Sequence, residues 1–159
     1  MIKKEARMVG EGTTAIFITF AMAILGYVGL TYTVTLTARS KHWIGIWRVV
    51  ALIIFAHVLM VWMFRYDWQF DLAVRNGYAG FLIFHSALIS ILVSMFCNQN
   101  LGQKLIHISF LIVTVGALGA SFRYDVVAMY RIVVIVCGLV GGIGLVRFYI
   151  LNKGTLSNV

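Results

Sequence analysis

The chain has 159 residues, of which 62% are hydrophobic and 11% charged, and its mean hydropathy is +0.97. Such a composition excludes a soluble enzyme or a duplex-binding domain, and it assigns the net charge of +8 to a membrane surface, with no nucleic acid as partner. In lipid, every backbone polar group must be satisfied internally, so only helices or a closed barrel can span. The apolar runs are continuous and last about 18 to 22 residues, the length of a membrane helix, whereas barrel strands are shorter and alternate. The expected fold is all-α, a polytopic membrane helix bundle of about five transmembrane helices forming a single integral membrane domain over residues 1–159.

In chain order, the polar start Met1 to Gly12 leads into a first span at 14–37. That span is too long for the apolar core of a cleaved signal, so it reads as retained. A basic turn at 39–41 precedes the second span, 45–64, and a polar stretch from Arg65 to Gly77 precedes the third, 78–97. A turn at 98–103 leads to the fourth span, 104–121. The segment from 122 to Arg131 then introduces the fifth, 132–150. Phe-Arg-Tyr-Asp occurs at 64–67 and again at 122–125, each time where an even-numbered span leaves the membrane. Its residues read as interfacial anchors, or Arg65 and Arg123 hold the carboxylate or phosphate of a ligand.

Proline is absent and there are 15 glycines. Gly138 and Gly142 form a GxxxG pair with Gly141 and Gly144 beside it, and Gly116, Ala117, Gly119 and Ala120 make a small-residue side on the fourth span. Such faces serve packing within the bundle or docking of other membrane-protein subunits. All acids (Glu5, Glu11, Asp67, Asp71, Asp125) fall on the side of the N-terminus, while Lys and Arg divide almost evenly between the two sides. The acid-free side is taken as cytoplasmic, with the N-terminus out and the C-terminus in, in a prokaryotic cytoplasmic membrane.

Four histidines stand out, because ionisable residues at membrane depth are costly. His57 lies seven residues before Phe64 and His85 seven after Tyr78, so each sits roughly 10 Å below the same surface. His42 and His107 lie near the opposite surface. Two pairs of imidazoles are thereby expected, His57 with His85 and His42 with His107. Each pair suits a six-coordinate b-type haem, with two nitrogen donors on opposite faces of a planar macrocycle. Arg75 and Arg65 are placed to pair haem propionates on the acidic side, and Arg48 and Lys41 on the other. Copper or zinc is the alternative, with Met60 and Met63 as soft donors. Cys97 and Cys137 read as free core thiols.

The segments Ser-Lys-His-Trp-Ile-Gly-Ile-Trp around His42, Phe-Leu-Ile-Phe-His-Ser-Ala-Leu-Ile-Ser around His85 and Gln-Lys-Leu-Ile-His-Ile-Ser-Phe around His107 resemble the histidine-bearing helices of a small four-histidine membrane family. That family is linked to the maturation of haem-copper oxidases. The resemblance covers about residues 15 to 121 and implies an accessory or cofactor-handling protein of respiratory membranes, ligating through His42, His57, His85 and His107. The general plan also resembles small cytochrome b subunits that exchange electrons with quinol.

The expected function is therefore that of a membrane subunit of a respiratory or related redox complex, binding one or two b-type haems for transmembrane electron transfer. An oxidase-maturation factor and a haem-free accessory or scaffold subunit are the alternatives. The chain has no phosphate-binding glycine loop, GxSxG or HExxH motif. A transporter is disfavoured because the spans hold no acid and no proline-broken helix.

Overall fold

The computed structural model describes residues 12–39, 42–75 and 77–156. The polar start Met1 to Gly12, apart from Gly12 itself, and the propionate partner Lys41 therefore fall outside the described residues. The helices are α1 (Gly12–Ala38), α2 (Ile44–Phe64), α3 (Phe70–Val74), α4 (Tyr78–Ser94), α5 (Gln99–Arg123) and α6 (Arg131–Leu156), with a 3-10 helix at Asp125–Tyr130 before α6. No strand occurs among the described residues. The protein is an all-α membrane bundle: α1, α2, α5 and α6 are each long and apolar enough to cross a bilayer.

The boundaries differ from the sequence reading where local hydrogen bonding intervenes. Asn98 caps α5, its side chain accepting from Leu101 N at 3.0 Å, so the fourth span starts at Gln99 and not at 104. The third span stops at Ser94, giving a helix of 17 residues, about 26 Å long at 1.5 Å per residue. The stretch from Arg65 to Gly77 is not wholly irregular, since Phe70–Val74 forms one helical turn, α3. Just before it, Asp67 and Trp68 adopt left-handed backbone with φ of 47° and 56°.

Small residues decide which helices pack closely. A Cβ at Gly26 would lie 2.8 Å from Ile54 Cγ1, and one at Gly29 would lie 2.7 Å from Val50 Cγ2, so α1 and α2 approach where α1 has no side chain. Gly102, Ser109 and Gly116 recur at seven-residue spacing on α5. The first and last of them meet Ser94 O and the Ile83 and Phe84 side chains of α4. On α6, a Cβ at Gly138 would meet Thr114 and Tyr27, one at Gly144 would meet Thr35, and at Gly141 the Phe110 ring occupies the position itself. Gly138, Gly141 and Gly144 are thus spent inside the bundle, whereas Gly142, the second glycine of the GxxxG pair, has no neighbour within 4 Å.

These contacts also fix direction. Tyr27 meets Gly138 while Thr35 meets Gly144, so α6 runs parallel to α1. The pairing of Tyr27 with Thr114 and of Thr37 with His107 makes α5 antiparallel to α1. The N-terminal ends of α1, α4 and α6 and the C-terminal ends of α2 and α5 therefore share one surface, called here the first end. α1 is the hub, packing on α2, α5 and α6, whereas α2 meets α4 only sparsely. Side-chain hydrogen bonds link α2 to α4 near both ends: Trp47 Nε1 donates to Ser94 Oγ at 3.0 Å and Trp62 Nε1 to His85 Nε2 at 3.2 Å.

Gly141→Ala should destabilise the bundle by about 1–3 kcal/mol, the range for overfilling a packed interior. Gly142→Ala, one residue away on the open side of α6, should leave stability nearly unchanged. Denaturant titration of the detergent-solubilised protein, followed by helical circular dichroism, compares the two.

Candidate functional site

His57 projects from α2 toward α1, where its Nδ1 lies 2.9 Å from Thr19 O. A carbonyl only accepts, so Nδ1 carries the proton and Nε2 keeps its lone pair. His85 is held the same way on α4, its Nδ1 donating to Phe81 O one turn back at 2.8 Å. Its Nε2 accepts from the indole N–H of Trp62. The Phe81 ring stacks on the imidazole at 3.9 Å, and Trp62 meets it edge-on at 5.9 Å.

His57 and Trp62 are five residues apart on α2, which rotates their directions by about 140° and separates them by about 7 Å along the axis. His85 sits at the Trp62 side, and His57 faces α1. No hydrogen bond joins the two imidazoles; each has partners of its own. Equal depth below one surface pairs them by height alone, and on α2 the side chains of His57 and Trp62 leave in different directions.

His107 is enclosed by α1, α5 and α6 and is 2% exposed. Thr37 Oγ1 lies 2.7 Å from Val34 O and 2.8 Å from His107 Nε2. The hydroxyl proton goes to the carbonyl, so Nε2–H donates to Thr37, and Nδ1 accepts from Tyr149 OH at 3.4 Å. Both ring nitrogens are thereby engaged, and Phe148 closes edge-on at 4.7 Å. His42 is exposed in the turn before α2. The nitrogens of His107 are bonded to α1 and α6, and no hydrogen bond joins it to His42.

A bis-histidine haem needs two Nε2 atoms facing across one plane; here the Nε2 of His85 accepts from Trp62 and that of His107 is bonded to Thr37. Among the described residues, no group of three or more His, Cys, Asp or Glu could hold a metal ion. Arg48, Arg65 and Arg75 are exposed side chains. Cys97 and Cys137 are free, Cys137 within the core. Arg131 does what sequence reading did not anticipate: its Nε and Nη2 donate to Ser121 O at 3.2 and 2.9 Å, and its guanidinium lies 4.6 Å from the centre of the Phe122 ring. A cation there satisfies a terminal carbonyl of α5 and complements its dipole. The partners, the backbone carbonyl of Thr19 and the hydroxyl of Thr37, carry no local pattern that marks which residue of α1 meets a histidine. Phe81 was legible in principle, since it lies four residues before His85 on one helix face.

Thr37→Val leaves the Nε2–H of His107 without an acceptor inside the bundle. Membrane-protein stability should fall by roughly 0.6–1.7 kcal/mol, the span of interhelical hydrogen bonds in lipid, while Tyr149→Phe, which removes the longer bond, should cost less. Steric-trapping or denaturant titration of both variants in bicelles measures the difference. Comparison with protein families, with characterised proteins and with solved structures finds no match to this chain.

Proposed function

We propose that the protein is a haem-free accessory subunit of a larger membrane complex, a helix bundle that contributes lipid-embedded surface and helix faces to an assembly of respiratory or related redox type. The observation that carries this reading is the separate engagement of the histidines. His57 is bonded to α1, His85 to Trp62 and to its own helix, and His107 to Thr37 and Tyr149. In these positions the imidazoles join helices together, a task polar side chains perform in lipid-embedded bundles. The short connections, with no room for a soluble domain, also suit a subunit better than a free-standing enzyme. Large apolar side chains on the outward side of α6, among them Ile132, Leu139 and Ile143, are exposed and suit contact with lipid or a neighbouring helix.

A second reading, the b-type haem subunit or oxidase-maturation factor, draws on the tautomers. His57 and His85 both donate Nδ1–H to a backbone carbonyl, which is how metal-ligating histidines are commonly oriented, leaving Nε2 for the iron. In that reading the two Nε2 atoms face each other across the haem plane, and the Trp62 bond to His85 is given up. Arg65 and Arg75 would then be the propionate partners at the first end.

The absorption spectrum of protein purified from haem-replete membranes decides between them. The accessory reading expects no b-type band in the reduced-minus-oxidised difference and, in mild detergent, elution in a complex larger than one chain. A stoichiometric b-type band that is lost in His57→Ala or His85→Ala would overturn it in favour of the second reading.

A further inference from the structure

We propose that the outer flank of the contact between α1 and α6, at the end opposite the first, holds one anionic phospholipid, with Arg39 and Arg147 on its phosphate and an acyl chain along the apolar residues below them. This goes beyond the subunit reading and stands without it.

The placement follows from helix geometry. α1 and α6 run parallel and touch at Thr35 and Gly144, where a Cβ on the glycine would lie 3.5 Å from Thr35 Cα and 3.6 Å from Thr35 N. Arg39 comes four residues after Thr35, and Arg147 comes three after Gly144. At 1.5 Å per residue their levels differ by only about 1.5 Å. At 100° per residue, Arg39 is turned by about +40° from the contact and Arg147 by about −60°. Opposite rotations on two parallel helices that face each other lead to the same flank, so both arginines stand on one side of the contact. Arg39 lies one residue past α1, and its backbone N–H donates to Leu36 O at 3.0 Å, so the turn continues that far. Both side chains are exposed.

Two guanidiniums at one level on one flank repel unless an anion stands between them, and this end of the protein supplies none. The sequence has no Asp or Glu from Gly12 to Tyr66, between Asp71 and Asp125, or after Asp125. Asp67, Asp71 and Asp125 follow the C-terminal ends of α2 and α5 and so lie at the first end. A phosphate meets the need, because guanidinium forks bind phosphate oxygens through paired hydrogen bonds.

Below the arginines the same flank is apolar and open. Val28 and Tyr32 on α1, with Val133, Val136 and Val140 on α6, are turned no more than about 80° from the contact toward the arginines' side. These five are between 36% and 53% exposed. From Arg39 to Val28 the flank runs about 16 Å in depth, close to one leaflet of a hydrocarbon core of about 30 Å. A phosphate at the surface with a chain beneath it is the form of a phospholipid. The absence of a carboxylate selects its charge, since a choline head group brings a cation of its own beside the two arginines.

Native mass spectrometry of the full chain released from mild detergent, titrated with phosphatidylglycerol or with phosphatidylcholine of the same chains, counts bound lipids and gives an affinity for each. One phosphatidylglycerol should bind about tenfold more tightly than phosphatidylcholine, and Arg39→Gln and Arg147→Gln should each weaken it about fivefold, the effect of one basic side chain on an anionic head group. Arg48→Gln removes the same charge from α2 at the same end and should leave affinity within about twofold. Equal affinity for the two lipids on the unaltered protein overturns the proposal, whether or not any variant folds. Unaltered affinity in both groove variants overturns it as well. So does equal weakening by Arg48→Gln, because the charge of the whole end would then suffice. Glycerol phosphate carries the anion without the chains and should compete only weakly. Competition as strong as that of the lipid itself would make this a site for a soluble anion and reject the lipid.

Discussion

Lipid offers a polar atom nothing to bond to, and that requirement organises this protein more than any single packing contact does. Helical backbones satisfy their own N–H and C=O groups, so the burden falls on side chains. Thr31, Thr33 and Thr37 return their hydroxyl protons to carbonyls of their own helix, α1. Tyr27 and Thr114 bond to each other across the interior. The histidines obey the same rule: each of the three within the spans finds protein partners, and those partners dictate where the ring points. Two atoms stand outside the pattern among the described residues, Trp43 Nε1 and Ser109 Oγ, which are buried with no partner.

Close helix approach supplies the other half of the stability, and here the chain works by omission. Between apolar helices in lipid there is little hydrophobic driving force, so contact must come from van der Waals fit. Gly26 and Gly29 admit α2, Gly102 and Gly116 admit α4, and Gly141 admits the Phe110 ring. Without proline, no helix is bent by ring geometry, and the long straight contacts that these glycines allow remain available.

Much of this was legible in the sequence. The spans at 14–37, 45–64 and 132–150 fall within α1, α2 and α6, because apolar run length is set directly by the thickness of hydrocarbon. The ends were harder, as at Asn98, where a single side-chain cap extends α5 by five residues beyond the apolar run. Depth along a helix was also readable, but rotation about it was not. His57 and His85 look matched when only their distance from a surface is counted, yet each ring is directed by its own partners, Thr19 O on α1 for His57 and Phe81 O with Trp62 for His85. His107 illustrates the same limit: its neighbours Thr37 and Tyr149 come from spans 70 residues before and 42 after it.

The glycine contacts have a bearing on how the chain is made. α1 with α2, and α4 with α5, are two antiparallel hairpins, each with glycine contacts of its own at Gly26 and Gly29 and at Gly102 and Gly116. As soon as the second helix of a hairpin leaves the ribosome, its partner is already in the bilayer with a groove of the right shape. Assembly is then reduced to joining two finished halves through α1 and α5, with α6 laid against the seam afterwards. The one long-range partner is α6, which packs on α1 through Gly138 and Gly144 and so completes the bundle last.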